Sequence, residues 1–363
     1  MPVPYRSISV RICRHVSLII SLSCSLLLLS ACTAPGSAAT APSPTVAPEP
    51  TAFLRATAQP TPSVTTAIAT ATAISSAGGA SPQLPATITD INDQAVTVTS
   101  VERIISLNGD ITEIVFALGL GANLVGVDIS ASFPPEAAEL PKIGYQRNLN
   151  AEGLLALNPT VVIGDEAAGP PEVLQQVSAA GVPVVIGADP ITLDSPLQKV
   201  QFVAEALGVP ERGAALVEQI TADFAAAQAL REQATSPAPR VLFFYLRGTT
   251  TQAVAGKDTP VDVMITAAGG INAAAEAGLE GFEALSPETV VAAQPDVFLV
   301  LEHGLESVGG VDGLLAIPGL AETPAGQDRR VVAMDDLYLI GMGPRAGQAL
   351  QDLTQAFHPE LAE

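Results

Sequence analysis

The sequence has no tryptophan, and aromatic residues make up only 4% of its 363 residues. Charged residues are also few, at 15% against 48% hydrophobic, a balance too apolar for a wholly disordered chain. Positive charge is scarcest, because 16 Lys and Arg face 37 Asp and Glu, for a net charge of −21. This charge repels phosphate backbones and anionic membranes. The composition therefore argues against nucleic-acid binding, and any membrane attachment needs a separate device.

The N-terminus has the pattern of an export signal. Arg6, Arg11 and Arg14 precede an apolar run over residues 16–29, and no acidic residue occurs before Glu49. A basic start followed by a short apolar stretch is typical of a secretory signal peptide. The run is short for a membrane span. The sequence therefore predicts that the folded part lies outside the cytoplasm.

Cysteine usage supports this interpretation. Cys13 and Cys24 lie inside the predicted signal, which leaves Cys32 alone and unable to form an internal disulfide. The apolar run ends in Leu29-Ser-Ala-Cys32, which resembles the lipobox of bacterial lipoproteins. That resemblance implies a signal peptide over 1–31 and a lipid anchor on Cys32. The alternative is an ordinary signal peptide with a chance cysteine.

Residues 32–86 contain almost only Ala, Thr, Pro and Ser, with Phe53 and Leu54 in the middle. Proline removes backbone donors and no apolar periodicity appears, so this segment has no means of forming a core. It is predicted to be a spacer that keeps a folded body away from the lipid surface. A dispensable low-complexity tail is the alternative.

The remaining chain alternates short apolar strands with helices. Strands are predicted at 103–107, 124–127 and 161–163, and a second series begins at 241–245. This alternation predicts an α/β fold with mainly parallel sheets covered on both faces. A long helix with one apolar face separates the two series, which gives an N-terminal lobe over 87–207, an inter-lobe helix over 208–237 and a C-terminal lobe over 238–363.

Two local patterns concern acidic residues near helix starts. Asp110 and Glu113 have the spacing of a capping box at the start of the first helix. Further along, Glu152 precedes Pro159 by seven residues and Glu288 precedes Pro295 by seven, and an apolar strand follows each proline. Each Glu is predicted in the first turn of a short helix, where the helix dipole favours a carboxylate. The two are either simple helix-start residues or equivalent docking points, one per lobe, for a pseudo-symmetric partner.

Four segments together resemble one transport family: residues 103–119, 140–153, 267–272 and 341–345. They resemble the helical-backbone class of ABC-importer substrate-binding proteins for cobalamin, siderophores and haem, and are most similar to its haemin-binding lipoproteins. The resemblance implies a rigid two-lobed clamp, a ligand cleft between the lobes, and capture rather than catalysis. It also implies a monomer whose Glu152 and Glu288 bind arginines of a permease dimer that works with its ATPase.

Within this resemblance, Tyr145 matches the position that supplies a tyrosinate to the iron of haem. The transported ligand is then ferric haem b. A phenolate oxygen is a hard anionic donor suited to Fe(III), and tyrosine is a known axial ligand of haem. The neighbouring Arg147 favours the anionic form. An exposed loop aromatic with no ligand is the alternative.

The other site candidates follow from charge and position. The two haem propionates need cations in a strongly acidic protein, and the expected contacts are Arg147, Arg247, Arg345 and Lys257. Some haemin-binding relatives have a His at the position of Arg247. This chain departs from them there, which argues against a second iron ligand or a stacked second haem. Further cleft candidates are Asn108, His303 and Met342.

Other functions remain open at this point. The same clamp for cobalamin or a ferric siderophore is the first alternative. An exported enzyme is disfavoured because the sequence has no Ser-His-Asp order, HExxH motif or P-loop. An adhesive surface lipoprotein is favoured by the spacer alone.

Overall fold

The computed structural model describes residues 64–66 and 81–362. The predicted signal peptide, Cys32 and most of the predicted spacer lie outside these described residues. In the ranges that are described, no helix combines the length and the apolar character needed to cross a membrane.

The strands of the N-terminal lobe are β2 (Ala86–Thr89), β3 (Ala95–Val98), β4 (Ile104–Ser106), β5 (Leu124–Val127), β6 (Val161–Asp165) and β7 (Val184–Gly187). Four of them form a parallel sheet with strand order β5-β4-β6-β7, next to an antiparallel β2–β3 hairpin. A 3₁₀ helix at Gly121–Asn123 precedes β5. The helices are α1 (Gly109–Ala117), α2 (Pro135–Ala138), α3 (Ala151–Ala156), α4 (Pro171–Ala179) and α5 (Ser195–Ala206).

Both faces of this sheet are buried. Successive strand residues point to opposite faces, and Ile104 packs into one apolar cluster while Ile105 packs into another. Val162 and Ile163 divide between the two clusters in the same way. The short, all-apolar strands in the sequence therefore correspond to strands covered on both sides.

The strands of the C-terminal lobe are β1 (Val64–Thr66), β8 (Arg240–Arg247), β9 (Thr251–Ala255), β10 (Ile271–Asn272), β11 (Phe282–Ala284), β12 (Val297–Leu301) and β13 (Val331–Met334). They form a mixed sheet with strand order β1-β13-β12-β8-β9-β11, and β10 pairs with β8. The β1, β12 and β13 strands run parallel, whereas β9 is antiparallel to β8 and to β11. The helices are α7 (Pro260–Ala267), α8 (Ala273–Glu276), α9 (Pro287–Ala293), α10 (Glu302–Ser307), α11 (Gly310–Leu315), α12 (Pro324–Gln327), α13 (Asp336–Ile340) and α14 (Ala346–Phe357), followed by a 3₁₀ turn at Pro359–Ala362.

One helix, α6 (Pro210–Arg231), joins the lobes. Its 22 residues span about 33 Å. It packs against helices of both lobes at glycines: a Cβ on Gly213 would lie 2.3 Å from Cβ of Ala204 in α5, and one on Gly347 of α14 would lie 2.5 Å from Cβ of Asp223. These close approaches fix the backbone helix to both halves. The predicted fold class, two βα lobes joined by a long helix, is confirmed.

One buried ion pair and one hydrogen bond from a buried lysine cross between the lobes. Arg345, at the start of α14, donates to both carboxylate oxygens of Glu113 in α1 at 2.8 and 3.0 Å. Lys199 of α5 contacts Asp110 at 2.5 Å and donates to the carbonyl oxygen of Gly341 in the other lobe at 3.0 Å. The capping-box interpretation of Asp110 and Glu113 is therefore wrong, because both carboxylates are used in long-range ion pairs.

Replacing Arg345 by Ala should destabilise the protein by about 3–5 kcal/mol, because it leaves the buried carboxylate of Glu113 without its cation. Equilibrium urea unfolding measures this loss. The matched control is the double variant Arg345→Met with Glu113→Leu, which removes both charges and should cost less than the single change. A single variant as stable as the wild type would contradict the importance of the pair.

Candidate functional site in the inter-lobe cleft

The carboxyl ends of strands from both sheets open into one cleft, the usual place for a ligand in an α/β fold. A cavity of about 700 Å³ lies there. One wall comes from the end of β6 and the segments that follow β4, β5 and β7, and the other from the end of β8 and the segments that follow β12 and β13. The lining residues are Asn108, Gly109, Asp110, Ile129, Ser130, Ser132, Tyr145, Gln146, Asp165, Asp189, Tyr245, Arg247, His303, Asp335, Asp336, Leu337, Ile340 and Gly341.

Tyr145 lies on the N-terminal wall and is 48% exposed. Its peptide neighbours are held tightly. The backbone N–H of Gln146 donates to the buried carboxylate of Asp128 at 2.8 Å, and Ile129 donates to the carbonyl of Gly144 at 3.2 Å. The side-chain amide of Gln146 accepts from Asn108 at 2.9 Å. The loop is thus preorganised, while the phenol itself faces the cleft.

The opposite wall presents a second phenol and a cation. Tyr245, near the end of β8, has the guanidinium of Arg247 over its ring at 4.5 Å. Arg247 also donates to the carboxylate of Asp336 at 2.8 Å. His303 contacts the other oxygen of that carboxylate through Nδ1 at 3.3 Å. Aromatic and cationic groups therefore lie across the cleft from Tyr145.

The cleft floor is acidic. The ammonium of Lys199 contacts Asp110 at 2.5 Å and Asp189 at 3.2 Å, so one cation serves two carboxylates. Asp165, at the end of β6, is a third carboxyl beside them and is only 4% exposed. Among the described residues, no group of three or more His, Cys, Asp or Glu has the arrangement of a metal site.

Burial and, after it, the negative charges of Asp110 and Asp189 raise the pKa of Asp165 to about 7, against a smaller lowering by the backbone N–H of Ala167 and by Lys199. The ammonium of Lys199 has a raised pKa because the attraction of Asp110 and Asp189 outweighs its desolvation. The floor therefore carries a fixed cation and one carboxyl that titrates near neutrality.

The structure brings together some of the predicted site residues and not others. Tyr145, Arg247, Asn108 and His303 all line the cavity. Asn108 is 1% exposed, and its side chain links Gln146 to the backbone N–H of Asp165 at 3.0 Å. The Asn108 side chain therefore supports the loops that line the cleft.

Four predicted contacts do not line the cavity: Arg147, Lys257, Arg345 and Met342. Arg345 is buried with Glu113 and stacks over the ring of Phe133 at 3.6 Å, so its charge is already used. Met342 is 4% exposed and packs in the apolar core of the C-terminal lobe. The Nζ atom of Lys257 lies 3.9 Å from Oδ2 of the adjacent Asp258, and both side chains are exposed. Arg247 is the predicted cation that lines this cavity, and the lining carboxylates outnumber the lining cations.

Glu152 and Glu288 lie where the sequence pattern predicts. Each is an exposed residue in the first turn of a short helix, α3 and α9 respectively. The equivalence extends further, because Asn158 and Gln294, the residues before the two prolines, both have positive φ, at 47° and 42°. The two lobes thus repeat one helix-to-strand unit.

Sequence reasoning missed Tyr245 and the floor carboxyls Asp165 and Asp189. Tyr245 and Arg247 are two residues apart on one strand and therefore share a face. That spacing was available in the sequence. The pairing of the floor residues joins positions as distant as 110 and 199, and local patterns do not report it.

The family model described as periplasmic binding protein matches residues 104–338. This chain belongs to the periplasmic binding protein family. Among solved structures, it is similar to the periplasmic heme-binding protein RhuT from Roseiflexus sp. RS-1 in apo form, with 67% identity, 72% of this chain and 99% of that chain covered, and a TM-score of 0.70.

Two more relatives bear on what such binding proteins take up. The periplasmic heme-binding protein BhuT, solved in complex with two hemes, is 41% identical over 71% of this chain and 98% of its own, with a TM-score of 0.67. The vitamin B12-binding protein of Vibrio parahaemolyticus is 28% identical over 71% of this chain and 90% of its own length. Both are matched over most of the two-lobed body.

The stability of this periplasmic binding protein should depend on pH through Asp165. Its pKa in the folded protein is about 7, against a usual value of 3.8, so the folded state holds this proton more tightly than the unfolded chain. Stability from this group is present below pH 4 and is lost as pH rises through 7. Asp165→Asn should therefore gain melting temperature relative to wild type as pH rises from 4 to 8. A difference that does not change with pH would contradict this assignment.

Proposed function

We propose that this protein captures ferric haem b in the inter-lobe cleft and delivers it to an ABC importer. The observation that carries the proposal is the exposed phenol of Tyr145, mounted on a fixed loop and facing the cavity. A phenolate is a hard anionic ligand suited to Fe(III). The likeness to RhuT and BhuT, both described as heme-binding, supports the same cargo.

The cavity suits a large flat ligand. Its volume of about 700 Å³ lies in the usual range for ligand sites. Ile129, Leu337, Ile340 and the ring of Tyr245 offer apolar contact on both walls. Burial of porphyrin faces contributes roughly 25 cal/mol per Å². Apolar burial therefore supplies affinity that the acidic cleft does not supply by charge.

Arg247 is the cation best placed to contact a propionate, since it lines the cavity. Its guanidinium already pairs with Asp336, so a propionate would share it with that carboxylate. Arg147 is exposed two residues after Tyr145, and its contribution is limited to the outer edge of the ligand. His303 remains a candidate for a second contact with the iron or a propionate across the cleft.

Capture and transfer, without chemical conversion, fit the family and the site. We propose that residues 1–31 are removed as a signal peptide, that Cys32 carries the lipid anchor, and that residues 32–86 connect the anchor to the body outside the cytoplasm. Within this connecting segment, residues 64–66 pair as β1 with β13 of the C-terminal sheet. The body, made of lobes over 87–207 and 238–363 with the helix over 208–237, acts as a monomer. Glu152 and Glu288 then bind the two halves of the permease dimer, whose ATPase drives import.

Tyr145→Phe should abolish the ferric-tyrosinate absorption and resonance Raman signals of the haemin complex, because it removes the ligating oxygen and keeps the ring. A haemin titration of each purified variant measures this. Tyr245→Phe is the matched control, since it removes a phenol from the opposite wall and should keep the tyrosinate signals. If Tyr245→Phe lost those signals and Tyr145→Phe kept them, the iron ligand would be Tyr245 on the opposite wall.

A corrinoid is the second candidate ligand, and a specific observation favours it. Asp110, Asp165, Asp189, Asp335 and Asp336 all line the cavity. The side-chain amides of a corrinoid donate hydrogen bonds to carboxylates and bring no carboxylate of their own, whereas haem brings two propionates. If the protein binds cyanocobalamin tightly and haemin causes no Soret change, its ligand is a corrinoid and not haem.

Glu152→Arg combined with Glu288→Arg should abolish import by the cognate permease and leave haemin affinity unchanged, because both residues are exposed and outside the cavity. Import assays in reconstituted vesicles and a haemin titration measure the two effects separately. Glu152→Gln with Glu288→Gln is the milder control and should reduce import less. Weakened haemin binding in the Arg variant would instead mean that the first-turn glutamates affect the cleft.

A further inference from the structure

Asp165 lies beside Asp110 and Asp189 on the cleft floor and, unlike these two carboxylates, has no ion-pair partner among the described residues. The three hydrogens of Lys199 go to Asp110, Asp189 and the carbonyl of Gly341, at 2.5, 3.2 and 3.0 Å. One carboxyl oxygen of Asp165, Oδ1, accepts from the backbone N–H of Ala167 at 2.8 Å. Among the described residues, its Oδ2 has no hydrogen-bond or ion-pair partner, although the side chain lines the cavity and the residue is only 4% exposed.

The charges around Asp165 are mostly negative. From its own lobe it faces Asp110, Asp189 and Lys199, with Glu166 next in sequence. Across the cavity lie Arg247, His303, Asp335 and Asp336, of which Arg247 and His303 both contact Asp336. A ligand that brings further carboxylates raises the cost of keeping Asp165 ionised. Asp165 is the floor carboxyl that can be neutralised without breaking an ion pair, since Asp110 and Asp189 are both paired with Lys199.

We infer that Asp165 takes up a proton from solvent when a ligand carboxylate enters the cleft, and that the resulting neutral acid donates a hydrogen bond from Oδ2 to that carboxylate. This inference rests on the proposed function. The proton comes from water, the bond formed is Oδ2–H, and nothing is oxidised or reduced. Asp165 is thus a specificity-determining residue for ligands with carboxylate groups.

The apo protein is already prepared for this step, since the pKa of Asp165 is raised to about 7 by burial and by Asp110 and Asp189. Above neutral pH the carboxyl is mostly ionised before binding, so each ligand bound draws close to one proton. Linkage then requires the affinity of the wild type to fall by up to about tenfold per pH unit above this range. An Asn at this position is a neutral donor at every pH and should remove that dependence.

The test is a proton count by calorimetry. Haemin is titrated into the purified wild type and Asp165→Asn at pH 8, each in two buffers of different ionisation enthalpy. Protons exchanged by iron-bound groups are common to both proteins and cancel in the difference. The expected result is nearly one more proton taken up per haemin by the wild type, and an affinity of the variant that changes less between pH 7 and pH 9.

Two controls separate the explanations. Asp189→Asn removes a neighbouring carboxylate and should keep the extra proton, because Asp165 remains. Haemin dimethyl ester, which has no carboxylates, should show no difference in proton uptake between wild type and Asp165→Asn. Equal proton uptake by the wild type and Asp165→Asn on binding haemin would overturn the inference. The inference would also fail if the wild type took up the same extra proton with the dimethyl ester. A wild type that fails to bind haemin at all would overturn the proposed function and the inference with it.

Discussion

The cleft depends on charges that are buried between the two lobes. A buried ion costs free energy unless its partner lies within contact distance, and breaking such a pair costs more than forming it gains. The Arg345–Glu113 pair joins the two lobes, and Lys199, paired with Asp110 in its own lobe, also donates to the carbonyl oxygen of Gly341 in the second lobe. Together with α6 packed against α5 and α14, these contacts hold the two lobes beside the cavity.

The same pairs set the electrostatics of the site. Arg345 and Lys199 are cations near the ligand cavity, yet their charge is used internally, and the ligand meets a wall rich in carboxylates. For the proposed haem ligand, Coulomb attraction is therefore not the main expected source of affinity. Apolar burial, the proposed phenolate bond to iron and the inferred neutral carboxyl on the floor would have to offset the negative field. Stability and ligand charge recognition compete for the same few basic residues.

Sequence patterns were informative where the cause is local. Strand faces, the long helix and the first-turn positions of Glu152 and Glu288 depend on periodicity and on capping within a few residues. The failures concern Arg345, Met342 and the carboxyls of the floor. Arg345 pairs with a residue 232 positions away, and no local pattern reports whether a scarce arginine faces solvent or a partner across the body. Tyr245 was accessible from its spacing to Arg247, but its role depends on which wall faces the cavity.

The repeated helix-to-strand unit has a consequence for recognition by a two-fold partner. Each copy presents a similar arrangement. A capped first turn carries an exposed glutamate, and a residue with positive φ then leads into a buried strand. A two-fold receptor that binds these glutamates, as proposed above, would meet a similar local geometry in two orientations related by a half-turn. The cleft is not symmetric, because its phenol-bearing walls differ. A ligand in the cleft would then face the central path of the receptor in one of two opposite orientations.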